Sequence, residues 1–278
     1  MEKILLVVFG PAPAANSLDF ACYLSGMTRS RIKGYFFESS QYADRPVMKQ
    51  VYGMPYVETI VSGDLPGYET MRRTIEDNIR SFQHTCEEKG IPASAHYVHT
   101  PVLDEIITES RFADLIIVDA AASDVPGFEE MPGPFLRDLM IKAQCPVIIA
   151  PAGHMPVEEI VFCYDGSPSS YFAMKQFSYL LPELTEARGT VVQVSRSEIP
   201  AGEKKQVMDW LSRHFNYTDY VTLKGNPEDE LLGYLLTRRY AMVVMGAYSR
   251  SMISRFFRHS HADLLIKTLA YPVFITHY

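Results

Sequence analysis

Short apolar runs alternate with amphipathic stretches along the whole chain. Residues 3–9, 31–37, 94–98, 114–119 and 146–150 predict strands in the first half. Residues 159–164, 189–194, 218–223, 241–245 and 272–276 do so in the second. The runs are rich in Val, Ile, Leu and Met with no polar alternation, the pattern of strands buried on both faces of a parallel sheet. Between them, helical periodicity appears near 169–182, 202–215, 228–239 and 256–269. Five strands with intervening helices in each half predict a doubly wound α/β domain, twice.

The halves also repeat one another in sequence. Ile4-Leu-Leu-Val-Val-Phe-Gly-Pro answers to Ile160-Val-Phe-Cys-Tyr-Asp-Gly-Ser-Pro, and Asp114-Leu-Ile-Ile-Val-Asp to Ala241-Met-Val-Val-Met-Gly. Pro146-Val-Ile-Ile-Ala answers to Pro272-Val-Phe-Ile-Thr, and Thr100-Pro101 stands where Asn226-Pro227 stands. Four matches in one order define an internal repeat. The expected units are residues 1–151 and 157–278, joined by a Pro/Gly-containing linker near Pro151–Pro156. The first carries an insertion near 39–67, rich in Tyr, Pro and Gly, which reads as a long loop.

Composition narrows the function classes. The 278 residues carry a net charge of −7, with no basic stripe for a phosphate backbone, so nucleic acid is not an expected partner. No run approaches the ~20 apolar residues of a membrane span. The start Lys3, Ile4–Phe9, Ala12 loosely imitates a secretory signal, but the same pattern recurs in mid-chain and reads as a strand. Cys22, Cys86, Cys145 and Cys163 lie far apart in sequence and read as small buried hydrophobes of a reducing compartment. The expected location is the cytoplasm.

Ligands of doubly wound sheets sit beyond the carboxyl ends of the strands, where the strand order reverses. In the second half that places Asp165, Gly166 and Ser167 opposite Met245-Gly246-Ala247-Tyr248-Ser249-Arg250-Ser251, with His259, Ser260 and His261 further on. A turn of small residues opening a helix offers backbone N–H groups to an anion. Arg250, Arg255 and Arg258 line that stretch, either as anion ligands or as a solvated face. Asp165-Gly166-Ser167-Pro168 is equally a plain turn followed by a helix cap. His259 and His261 lack a Cys or carboxylate at ligand spacing, so no metal is expected. Trp210, with Met208, Leu211 and Phe215, reads as the packing face of a helix.

Strand–Asp-Gly-Ser, Met-Gly-Ala-Tyr-x-x-Ser and the terminal Pro-Val strand together resemble the universal stress protein family. The likeness covers nearly all of the second half and, more weakly, the first. It implies an adenine nucleotide alpha hydrolase-like fold, a stress-response role and, in members that bind ATP, a G-x-x-G, nine residues, G-[ST] loop plus the strand-one Asp. It puts Gly246, Ser249 and His259 at the three glycines, Ser260 at the Ser/Thr, Asp165 at the acid and Val194 beside the base. Two of the three glycines are therefore replaced. In the first half Phe9 stands at the acid and Asp119 at the first glycine, a carboxylate where phosphates would pass. The resemblance implies ATP or a related nucleotide in the second domain only. It also implies a protein partner and pairing of the two terminal strands in an intramolecular pseudo-dimer, with further homodimerisation left open. The alternative is a nucleotide-independent scaffold acting through protein contacts. No Walker A loop, G-x-S-x-G elbow, S-G-G-x-D-S loop or Cys–His nucleophile signature appears, so no catalytic residue is assigned.

Overall fold

A computed structural model describes residues 1–9, 15–38, 45–52, 54–61, 63, 65–98, 103–119, 134–151, 156–193, 199–246 and 271–276. The first half contributes β1 (Lys3–Phe9), α1 (Ala15–Thr28), β2 (Arg31–Phe37), β3 (Arg45–Val51), β4 (Met54–Ile60), α2 (Tyr68–Glu88), β5 (Ala93–Val98), α3 (Leu103–Ser110), β6 (Leu115–Asp119), α4 (Pro134–Lys142) and β7 (Val147–Ala150). The second contributes β8 (Glu159–Tyr164), α5 (Pro168–Leu180), β9 (Arg188–Gln193), α6 (Ala201–Leu211), β10 (Tyr217–Thr222), α7 (Pro227–Leu236), β11 (Ala241–Gly246) and β12 (Val273–Thr276). The helix expected near 256–269 lies outside the described residues.

Ten of these strands form one sheet, ordered β10-β9-β8-β11-β12-β7-β6-β1-β2-β5. From either outer edge inward, each half runs third, second, first, fourth, fifth strand, all parallel, so the order reverses beside β1 and β8. The halves meet at their last strands, where β12 pairs antiparallel with β7 and Phe274 lies opposite Ile148. Antiparallel pairing of two equivalent strands relates the halves by an approximate twofold.

Side-chain alternation explains why each apolar run could not afford a polar face. In β1, Ile4, Leu6 and Val8 join a core under α1, α2, α5 and α6, while Leu5 and Val7 join a second core under α3, α4 and α7. Helix α2 presents Met71, Ile75, Phe82 and Cys86 to the first core at helical spacing. Phe177 of α5 meets Phe162 and Phe274 edge-on, at ring centroid distances of 5.7 and 5.4 Å, which ties the helix to β8 and β12.

The insertion differs from the expected loop. Strands β3 and β4 form an antiparallel hairpin, Val51 opposite Met54, paired with no other described strand. Met48, Met54 and Val57 are well exposed there, and none of its described side chains enters either core. Its strands carry Pro46 and Pro55 and charged residues among the apolar ones, with no regular alternation to mark them as strands.

Candidate functional site

The reversal of strand order beside β8 opens at Asp165. Gly166 follows with φ +79°, a conformation glycine adopts freely, and bends the chain toward α5. Asp165 Oδ1 accepts the Ser167 N–H at 3.0 Å, closing a local turn. Ser167 is the N-cap of α5: its extended backbone precedes Pro168 at N1, and its hydroxyl accepts the Ser170 N–H at 3.3 Å. Acid, glycine and serine thus form one compact turn-and-cap unit.

Strand β11 delivers its end to the same place. Met245 is buried, and a Cβ added to Gly246 would stand 2.4 Å from the Ser169 carbonyl oxygen. Asp165, Gly166, Ser167, Met245 and Gly246 are therefore brought together across the first turn of α5. The family resemblance puts Gly246 at the first glycine of the nucleotide loop; the close helix–strand packing supplies a separate reason for a glycine there. Val194, Ser249, Arg250, His259, Ser260 and His261 lie outside the described residues.

A cavity of about 480 Å³ adjoins this turn, between α5 and α6. Tyr164, the last residue of β8, forms its floor with Gly166; Tyr171, Met174 and Lys175 come from α5, and Glu203, Gln206, Val207 and Trp210 from α6. The Tyr164 hydroxyl donates to Glu203 Oε1 at 2.6 Å. Burial and the neighbouring Glu203 carboxylate together push the Tyr164 hydroxyl above its ordinary pKa, so it stays a donor at neutral pH. Trp210 stacks on His214 with ring centroids 4.1 Å apart, which fixes the indole beside the cavity. Leu211 and Phe215 are core as expected, whereas Trp210 is half-buried and shared between core and cavity.

Sequence reasoning passed over this cavity, although Glu203, Gln206, Val207 and Trp210 share one face of α6 at i, i+3, i+4 and i+7. It also passed over Gln193, the buried last residue of β9, whose side-chain oxygen accepts from Tyr220 at 3.0 Å. In the first half it missed Glu38, 2% exposed at the end of β2, which accepts from the Tyr68 and Tyr97 hydroxyls. Glu38 is followed by unassertive residues, and no spacing rule marks it. Asp119 ends β6 opposite Ala150, so carboxylates stand at two strand ends of that half.

Among the described residues no cluster of His, Cys, Asp and Glu is placed to hold a metal ion. No described helix is long and apolar enough to cross a membrane.

No protein-family model matches the chain, and no curated protein does. Solved structures do. A universal stress protein from Archaeoglobus fulgidus DSM 4304 is 15% identical, with 98% of each chain covered and a TM-score of 0.62. A protein from Pseudomonas aeruginosa UCBPP-PA14, provisionally assigned to the same family, is 15% identical over 100% of this chain and 93% of its own, with a TM-score of 0.60. A functionally unknown protein from Pseudomonas aeruginosa PAO1 is 14% identical over 100% of this chain and 92% of its own, with a TM-score of 0.56. The likeness is one of fold. The chain has the two-lobed α/β architecture of universal stress protein structures, an adenine nucleotide alpha hydrolase-like fold.

Proposed function

We propose that the chain is a tandem universal stress protein, made of units 1–151 and 157–278, that acts in the cytoplasm as a non-catalytic binding and regulatory protein. Its ligand is an adenine nucleotide such as ATP, held in the second unit. The observation that carries this reading is the meeting of the Asp165–Ser167 turn with Gly246 at the point where strand order reverses, the position where doubly wound sheets take ligands. Asp165 would accept from the ribose hydroxyls. The segment after Gly246, with Ser249, Arg250, His259, Ser260 and His261, would meet the phosphates, and Val194 the base. Buried Glu38 and partly exposed Asp119 disfavour a polyphosphate in the first unit, since carboxylates repel it.

The test is titration of a fluorescent ATP analogue into the intact chain and into Asp165→Asn, which keeps the turn acceptor and removes the charge. Saturable binding weakened in the variant supports the site; equal weak signals from both proteins end the nucleotide proposal.

The second reading is a nucleotide-independent scaffold that works through protein partners. It is favoured by the structural employment of Asp165 in the turn and of Gly246 in helix packing, which accounts for both residues without a ligand. Native mass spectrometry of the purified chain separates the two: a co-purifying nucleotide excludes the scaffold reading.

A further inference from the structure

The cavity between α5 and α6 has a chemistry of its own. Its walls are apolar and aromatic, chiefly Met174, Val207 and Trp210, with Tyr164 at the base. Glu203 sits at its strand-end side, partly buried, with Oε1 engaged by the Tyr164 hydroxyl and no ion pair to any described residue. Lys175, on the facing helix, likewise forms no ion pair among the described residues. A carboxylate and an ammonium thus border one apolar groove without neutralising each other. On α6, Glu203 and Trp210 are seven residues apart, which at ~1.5 Å per residue separates them by ~10 Å along the helix. The volume of about 480 Å³ lies within the ~300–1,000 Å³ usual for small-molecule sites.

We propose that this groove binds a small zwitterionic aromatic molecule of the aromatic amino acid class. Its ammonium pairs with Glu203, its carboxylate with Lys175, and its ring lies against Met174, Val207 and Trp210. Charge-assisted hydrogen bonds to the ammonium and the carboxylate, both carried on the α-carbon, set orientation, and the apolar wall supplies the area for the ring. His214 behind Trp210 holds the indole in place before the ligand arrives, which lowers the ordering cost of binding. A polyphosphate fits poorly, because the lining carries one lysine and one glutamate and the net charge offered is zero. The site shares Gly166 with the strand-end crevice but does not depend on a nucleotide in it.

Trp210 is the single tryptophan of the chain, so its fluorescence reports on this groove alone. Excitation selective for indole is used while the intact chain is titrated with L-phenylalanine, L-tyrosine, phenethylamine, 3-phenylpropionate and AMP. The expected result is a saturable change with one of the two amino acids, at least ~10-fold weaker with phenethylamine and 3-phenylpropionate, a difference that reflects one lost ion pair each. Glu203→Gln, which keeps an acceptor for Tyr164, weakens amino acid binding by at least ~10-fold and leaves 3-phenylpropionate unchanged. Lys175→Met does the converse, sparing phenethylamine. No saturable response to either amino acid overturns the proposal. So does binding that both variants leave intact, or a response to AMP alone.

Discussion

Gly246 stands so close to Ser169 that a single methyl group would not fit between them: its Cβ would lie 2.4 Å from the Ser169 carbonyl oxygen and 2.7 Å from the Ser169 Cβ. The obstacle is backbone at the start of α5, which cannot rotate aside as a side chain can. Gly246→Ala is therefore expected to destabilise the chain by ~1–3 kcal/mol, the range for overpacking a filled site. Gly233, inside α7, has nothing within 4 Å of its Cβ position, and Gly233→Ala should instead stabilise by ~0.5–1 kcal/mol. Urea unfolding measures both; a Gly246→Ala midpoint equal to that of the parent would show that the end of β11 yields.

Most of the fold is legible in the sequence because the strands are buried on both faces. Ile4 through Val8 can be uninterruptedly apolar only where a core lies on each side, and the structure puts one there. The Pro-Val repeats mark the strands that join the halves for the same reason. The hairpin at 45–60 was not legible, since a ribbon exposed on both faces is under no pressure to alternate. Within the site, Asp165, Gly166 and Ser167 were found through turn chemistry, which is local. Glu203 and Lys175 were not, because their relation lies between two helices and leaves no spacing in the chain.

The Asp165–Ser167 unit separates a structural role from a ligand role. Ser167→Ala removes the cap acceptor for Ser170 and should cost ~1 kcal/mol. Asp165→Asn retains an oxygen for the Ser167 N–H and should cost less than half of that, whereas Asp165→Ala loses the turn bond, a net ~0.5–1.5 kcal/mol. Thermal melts of the three variants would reveal the order. An Asn variant as unstable as the Ala variant would mean that the charge, and not the turn bond, supports the local fold.

The hairpin contributes little to the stability of the body that carries it. An isolated two-stranded ribbon is marginal in water, and this one sends none of its described side chains into either core. Replacing residues 45–60 by a short Gly-Ser link is expected to leave the unfolding free energy within ~0.5 kcal/mol, as for changes remote from any packed contact. Circular dichroism melts and urea titration test this. A loss of several kcal/mol would place a packing contact on the hairpin.

The cysteines and tyrosines predict how the chain responds to alkali. Burial pushes the Cys145 and Cys163 thiols up to about 12, and it raises Tyr164 and Tyr97 as well, with nearby Glu203 and Glu38 adding to the effect. Cys86 is raised foremost by its hydrogen bond with Cys22, whose own thiol that bond lowers. For each raised group the folded chain keeps a proton that the unfolded chain releases from about pH 9 upward, so unfolding becomes easier as pH climbs. Their full contribution is present below pH ~9 and is lost progressively toward pH 12. The urea midpoint should accordingly be flat from pH 7 to ~8.5 and fall steadily above it. Under native conditions at pH 8 a thiol reagent should leave Cys145 and Cys163 untouched until denaturant is added, because the thiolate is the reactive form and burial keeps both thiols protonated. Rapid native labelling of Cys163, which is 1% exposed, would contradict the packing of β8 against both cores.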